Sequence, residues 1–241
     1  MVLKKIVITR PKAQGRAFAK SMVVEDSSCF LMEPLLEIRY LPVLLPEPDR
    51  YDGVIVTSVH GAKAFLGANR QWLEKPFYCV GESVVVALQD VGVQNIVFVA
   101  PIASDLAGRI KEHIGDFNPK LLYMRAQDVA FDFKGALGQG HCQFDELVCY
   151  EAIAVTKFSD GFITAIKNRE VSAITFFSKR TAKVFLECVR VSSIQQHLMD
   201  IQALCINDSM IECLYSIFGQ NIEISDTSDA DGMSRIIRSF V

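Results

Sequence analysis

Asp52-Gly-Val-Ile-Val-Thr-Ser-Val-His-Gly-Ala-Lys-Ala-Phe-Leu66 is answered 120 positions later by Ser172-Ala-Ile-Thr-Phe-Phe-Ser-Lys-Arg-Thr-Ala-Lys-Val-Phe-Leu186. In each copy a β-rich run ends in a hydroxyl residue, Ser58 or Ser178, and passes directly into a stretch with an Ala-Lys-x-Phe-Leu face. The pattern is a strand-to-helix turn, twice over. Free amides at the start of such a helix attract anions. Working outward, Lys120-Leu-Leu-Tyr-Met-Arg125 echoes Lys5-Ile-Val-Ile-Thr-Arg10, and Tyr78-Cys-Val-Gly-Glu-Ser83 echoes Leu204-Cys-Ile-Asn-Asp-Ser209. Asn95-Ile-Val-Phe-Val-Ala100 echoes Asn221-Ile-Glu-Ile-Ser-Asp226, and Arg109-Ile110 matches Arg235-Ile236. The offset drifts from 115 to 120 to 126, as small loop insertions produce. Identity is faint but order is kept, and order is the test of a long repeat. The chain is a disguised duplication.

A length of 241 residues suits one large domain or two ordinary ones, and the repeat decides for two. Half of the residues are hydrophobic, enough for a core in each half. The net charge of −3 argues against a general nucleic-acid binder, which needs surplus Lys and Arg to displace counterions. An anionic ligand must therefore be met locally. The opening Met1-Val-Leu-Lys-Lys-Ile-Val-Ile-Thr-Arg10 lacks the apolar stretch of a signal peptide, and no segment is long enough to cross a bilayer. A cytoplasmic location and no membrane partner are expected. The seven cysteines contain no Cys-x-x-Cys pair and mostly sit in apolar runs, as free thiols do. Histidines 60, 113, 141 and 197 are scattered; His141 and Cys142 are adjacent, but neighbours on a strand face opposite ways. No metal site is expected.

Strands are expected at 5–9, 30–32, 54–57, 77–80, 95–99, 121–124, 173–177, 202–206 and 222–225. Helices are expected at 12–24, 59–67, 82–91, 104–114, 130–138, 160–168, 180–189, 208–217 and 230–239. Strands alternating with helices mean parallel sheets. The strand-like stretch 143–155 is too long for one small sheet, and Glu33 to Pro42, with Pro near both ends, is extended. Five strands per sheet result only if the first two strands of the chain join the last three. The expected fold is therefore α/β: two flavodoxin-like parallel-sheet domains, each ordered 2-1-3-4-5, joined by a two-stranded antiparallel linker. The domains are 1–34 with 157–241 (discontinuous) and 42–148 (inserted), with 35–41 and 149–156 as the linker strands. Ligands gather at the carboxyl ends of such sheets, which places the expected active site in the interdomain cleft.

Those strand ends carry Thr9-Arg10, Thr57-Ser58-Val59-His60, Gly81-Glu82-Ser83, Arg125, Phe177-Ser178-Lys179-Arg180 and Asn207-Asp208-Ser209. Short hydroxyls beside free amides bind carboxylates or phosphates without a cofactor. Each alone is equally an ordinary N-cap, and it is their recurrence at equivalent turns that points to a ligand. Arg10 and Arg125, at matching strand ends, are the candidate anion contacts. Gly135-Ala-Leu-Gly-Gln-Gly140 follows a helix and precedes a strand, the wrong order for a dinucleotide fingerprint, and is a turn. No Gly-x-Ser-x-Gly elbow, Walker loop or His-Glu-x-x-His motif is present. Glu146 and Glu151 lie near Tyr150, but alternation leaves at least one of them in solvent. The Tyr150 phenol is neutral at pH 7 and can donate a hydrogen bond to a leaving oxygen; it can equally be a packing aromatic at the hinge.

In order and spacing these residues resemble the uroporphyrinogen-III synthase family. The likeness runs through Ile8-Thr9-Arg10-Pro11 with Gly15, Glu33-Pro34-Leu35, Asp52 to Ser58 with Ala62, Val80-Gly81 with Leu88 and Gly92, Leu121 to Arg125, Val148-Cys149-Tyr150-Glu151, and Ile174 to Ser178. The resemblance implies a cofactor-free hydro-lyase of haem biosynthesis that closes hydroxymethylbilane, a linear polycarboxylate tetrapyrrole. Ring D inverts through a spiro-pyrrolenine, giving uroporphyrinogen III and water. It also implies Tyr150 as proton donor to the departing hydroxyl. Ser58 and Ser178 fall at the two turns, and Gly81 falls where backbone approaches substrate. Arg10, Thr57, Ser83, Arg125, Lys179 and Ser209 complete the expected substrate-binding set. The chain departs from the family at Asn207-Asp208-Ser209-Met210, commonly Gly-Pro-Thr-Thr, and at Lys179, commonly Pro. Val84 stands where a Thr is frequent, and Asp208 would repel a carboxylate. The alternatives are a non-catalytic two-lobed small-molecule binding protein and a degenerate synthase kept for protein contacts. The linkers point to a monomer.

Overall fold

In this computed structural model residues 4–22, 29–115, 117–129, 131–137 and 142–240 are described. The chain divides into two compact units, Met1–Glu37 with Ile153–Val241 and Ile38–Ala152. The first unit opens with β1 (Lys5–Ile8), α1 (Lys12–Ser21) and β2 (Phe30–Met32), and β3 (Leu36–Tyr40) comes next. The second unit runs β4 (Gly53–Val56), α2 (Val59–Ala62), α3 (Arg70–Leu73), β5 (Phe77–Val80), α4 (Glu82–Asp90), β6 (Ile96–Ala100), α5 (Ala103–Ile114), β7 (Lys120–Ala126), α6 (Phe133–Leu137) and β8 (Gln143–Ala154). The chain then returns through α7 (Asp160–Lys167), β9 (Val171–Phe176), α8 (Lys179–Ser192), β10 (Gln202–Cys205), α9 (Ile211–Phe218), β11 (Ile222–Ile224) and α10 (Ala230–Arg238).

In the first unit the sheet order is β2-β1-β9-β10-β11, with every pair parallel. Strand β1 therefore sits between its chain neighbour β2 and a strand that begins 166 residues after it. The strands are apolar at almost every position because both faces are covered. One face, with Val7, Ile174, Phe176, Ala203 and Cys205, packs on Phe162, Phe185 and Leu214 from α7, α8 and α9. The other, with Ile6, Ile8, Ala173 and Leu204, packs on Phe18 of α1 and on Met233 and Ile237 of α10.

The second unit corrects the expected strand order and count. Its sheet has six strands, β3-β8-β7-β4-β5-β6, with β3 at the edge. Numbered along the chain from β4, the five parallel strands read 5-4-1-2-3 rather than 2-1-3-4-5. The reason is circular permutation. The repeat matches β7 to β1, so the same spatial arrangement is threaded starting from its third strand. Val54, Val56, Cys79, Leu122 and Met124 pack with Phe65, Trp72 and Leu88 on one face. Ile55, Tyr78, Leu121 and Tyr123 pack with Leu106, Ile110 and Phe133 on the other.

Three expected helices change form. The helix expected at 59–67 is one α-turn succeeded by a 3-10 turn at Lys63–Phe65. That expected at 208–217 begins as a 3-10 turn, Asp208–Met210, before α9. Within the span expected at 130–138 the helix is α6 alone, and residues 130 and 138 lie outside the described residues. So do positions 23 and 24 of the first helix, His141, and residues 138–140 of the glycine turn. The short α3, capped by the Asn69 side chain, carried no periodicity to find.

Glu33 is buried, and its carboxylate accepts from both the amide (2.8 Å) and the hydroxyl (2.6 Å) of Ser159. Ser159 in turn caps α7 by accepting from the Phe162 amide at 3.1 Å. A buried carboxylate is tolerable because those donors satisfy it. This explains Glu33-Pro34 as an anchor between β2 and α7. Burial pushes the thiols of Cys79 and Cys205 up to about 12.

Candidate active site

At the carboxyl end of β4, Ser58 is extended (φ −151°, ψ 145°) and its Oγ accepts from the His60 amide at 3.2 Å, so it is the N-cap of α2. Gly61 lets that turn lie close to β7: a Cβ there would stand 3.2 Å from the Met124 carbonyl oxygen. Strand β8 pairs with β7 in regular register until Arg125 opposite Val148, after which Ala126 stands opposite Tyr150. One extra residue is accommodated. Bulges are rare between parallel strands and re-aim the side chains beyond them. Here the next side chain is Tyr150, whose phenol lies near the Ser58 side chain. Burial raises the Tyr150 pKa, partly offset by the Ser58 side chain, so the group is a protonated donor at neutral pH.

The imidazole of His60, buried in the first turn of α2, lies 5.1 Å from the Tyr150 ring, centroid to centroid. Its Nδ1 is 2.8 Å from the Tyr40 hydroxyl at the end of β3. Lys63 stands 5.0 Å over the Tyr40 ring. Burial first, and then Lys63, hold the His60 pKa below 6.5, favouring the neutral imidazole.

The remaining expected residues of this unit end neighbouring strands. Thr57 Oγ1 is 3.2 Å from the hydroxyl of Tyr123, a phenol whose pKa burial raises. Gly81, after β5, has φ +81° with open space where a Cβ would be, so backbone conformation rather than crowding demands glycine. Ser83 is exposed in the first turn of α4. Arg125 is already committed: Nε to Glu146 at 3.0 Å, Nη1 to the carbonyls of Ala126 and Gln127 at 2.8 and 2.9 Å. Glu151 likewise pairs with Arg39.

In the first unit Ser178 caps α8, accepting from the Thr181 amide at 3.1 Å, with the Thr181 hydroxyl 2.8 Å away. Arg10, half-buried after β1, stands 4.6 Å over the Phe177 ring and 5.9 Å over that of Phe18. Among the described residues no carboxylate pairs with it, so its guanidinium donors are available to an anion while the rings hold its plane. Exposed Lys179 is 3.8 Å from Glu212. The amide and hydroxyl of Ser209 both donate to Asn207 Oδ1, at 3.2 and 2.6 Å. Asp208 is exposed beside them. Within each unit candidates therefore lie close together: Ser58 after β4 is near Tyr150 of β8, with β7 between the two strands, and Arg10 after β1 is beside the Ser178 end of the adjacent β9. Sequence reasoning missed Tyr40 and the role of His60. His60 was placed at its turn, but nothing in the sequence pairs it with Tyr40. Among the described residues, no group of three His, Cys, Asp or Glu side chains is placed to hold a metal, and no helix is long and apolar enough to cross a membrane.

Parallel sheets whose strands end in hydroxyl- and glycine-capped turns, with a half-buried phenol beside one of those caps, define an α/β protein. Solved structures share the fold. One is uroporphyrinogen-III synthetase from Helicobacter pylori, 17% identical, with 99% of this chain and 100% of that one covered and a TM-score of 0.66. Another is a mutant uroporphyrinogen III synthase from Thermus thermophilus, 14% identical, with 98% of each chain covered and a TM-score of 0.55. No curated protein matches the sequence. The family model for uroporphyrinogen-III synthase HemD matches residues 30–233, and the chain belongs to that family.

Proposed function

We propose that this chain cyclises hydroxymethylbilane to uroporphyrinogen III, with Tyr150 protonating the hydroxyl that departs as water. Family membership supports the reaction, and the register shift that brings the Tyr150 phenol, protonated at neutral pH, beside the Ser58 cap is the observation that supports the residue assignment. A phenol donor suits this step because an electron-rich pyrrole expels water readily once the hydroxyl oxygen is protonated. The harder task is to enforce the inverted closure over the spontaneous one, which is a matter of orientation. In this reading, substrate carboxylates are met by Arg10, Thr57, Ser58, Gly81, Ser83, Arg125, Ser178, Lys179 and Ser209. Arg125 acts by fixing the end of β7 at Ala126 and Gln127, opposite Tyr150, as well as by offering its remaining donors to a carboxylate. Segments 35–41 and 149–156 serve as linker strands between domains 1–34 with 157–241 and 42–148. The protein works as a cytoplasmic monomer without nucleic acid.

The test is an assay on enzymatically generated hydroxymethylbilane that separates product isomers I and III. Isomer III should dominate. Isomer I alone, at the rate seen without protein, would overturn the reaction and favour a binding role.

A further inference from the structure

Residue 60 touches both Ser58 and Tyr150. Its backbone amide donates to Ser58 Oγ at 3.2 Å, fixing one oxygen, and its ring lies against the Tyr150 ring at 5.1 Å, tilted by 52°. The imidazole is itself anchored, with Nδ1 2.8 Å from the Tyr40 hydroxyl, the two rings 5.8 Å apart. Tyr40 comes from the edge strand and Lys63 lies over its outer face, so two elements besides the turn converge on this ring. The groove beside it, about 350 Å³, is lined by Tyr40, His60, Lys63 and Cys149 among others, so water is at hand wherever the ring does not exclude it.

We propose that His60 is a positioning residue for Tyr150: pinned by Tyr40, it holds the phenol against Ser58 and closes the groove side of the ring to water. The inference rests on the proposed role of Tyr150, and deepens it. A neutral, half-apolar ring suits the place. It packs on an aromatic face while its polar edge takes the Tyr40 hydroxyl. Truncation would leave Tyr150 beside Ser58 but free to swing, and misplacement of a proton donor costs rate far more than binding.

His60→Ala should lower kcat about tenfold with KM little changed, and should raise the share of isomer I. His60→Phe, which keeps a ring against Tyr150, should recover most of the rate, and Tyr40→Phe should fall between the two. An unchanged kcat in His60→Ala, or a loss equal in His60→Ala and His60→Phe, would overturn the proposal. A second measurement does not depend on the reaction. Ultraviolet titration of Tyr150, taken as the difference from a matched Tyr150→Phe protein, should show its pKa falling toward the ordinary phenol value in His60→Ala, because water replaces the ring. Ser58, Tyr40, Cys149, Tyr123 and Lys63 surround this pair and are unchanged in the comparison. A Tyr150 titration identical to the parent's would refute the positioning role even if isomer III were never formed; a shifted titration with no isomer III would spare His60 and sink the reaction.

Discussion

Ser58 and Ser178 end equivalent strands, share an extended backbone within about 15° in φ and ψ, and each caps its helix through Oγ. Beyond the cap the two copies diverge. After Ser178 the chain forms a 14-residue helix whose Phe185 is fully buried and whose capping hydroxyl meets Thr181. After Ser58 the helix stops within four residues and the hydroxyl meets the phenol of Tyr150. The duplicated turn is thus a generic amide-presenting device, and only one copy has a phenol beside it, on a strand that carries a bulge and lies two places away in the sheet. A cap alone does not make a catalytic site; a second strand must deliver a group to it.

The contrast can be broken most forcefully at Tyr150. Tyr150→Phe should lower kcat by about 100-fold while leaving the fold intact, measured as isomer III formed per unit time and by circular dichroism. Full activity would remove the phenol from the chemistry and leave the two turns functionally alike. Next come the caps. Ser58→Ala and Ser178→Ala should each cost about 1 kcal/mol in denaturant unfolding, because each loses an N-cap. Only Ser58→Ala should also lower kcat, by roughly tenfold, whereas Ser178→Ala should act on KM. Equal kcat losses would dissolve the distinction.

The matched arginines give a smaller effect. Arg10→Leu should raise KM about fivefold, since its donors are uncommitted, while Arg125→Leu should lower stability more than it raises KM. The reverse pattern would mean that the Arg125–Glu146 pair opens for substrate. The smallest effect is on stability against pH. His60 has a folded-state pKa below its ordinary 6.5, so the unfolded chain takes up its proton first as pH falls. Its contribution is complete above pH 6.5 and is lost as pH drops through the folded value. His60→Phe should lack this acid-side loss when melting temperatures are compared across that range, and parallel curves would place the titration elsewhere.

The strand-to-helix alternation was legible because both faces of each sheet are covered and the strands are correspondingly apolar. The permuted order of the second sheet was not, because matching strands by likeness says nothing about where the threading begins. The helix expected at 59–67 failed for a local reason. Its Ala-Lys-x-Phe-Leu face matches the longer copy, but Leu66 is 78% exposed and Gly67 sits at φ +77°, so the shared pattern outlives the helix. Among site residues, Ser58, Gly81 and Ser178 announced themselves by their place at strand ends. Arg125 did so equally, and only the carbonyls and Glu146 around it reveal that its Nε and Nη1 donors are engaged. Tyr40 was illegible because its partner is an imidazole 20 residues away on another element.

Strand β1 lies inside the first unit's sheet, yet one of the two strands flanking it begins at Val171. During synthesis the segment carrying β1 and β2 must therefore wait, its edge unpaired, while the whole second unit emerges and can fold from a continuous stretch. An unsatisfied apolar strand is a standing invitation to aggregation, so the first unit's yield in the cell depends on how fast the ribosome delivers β9.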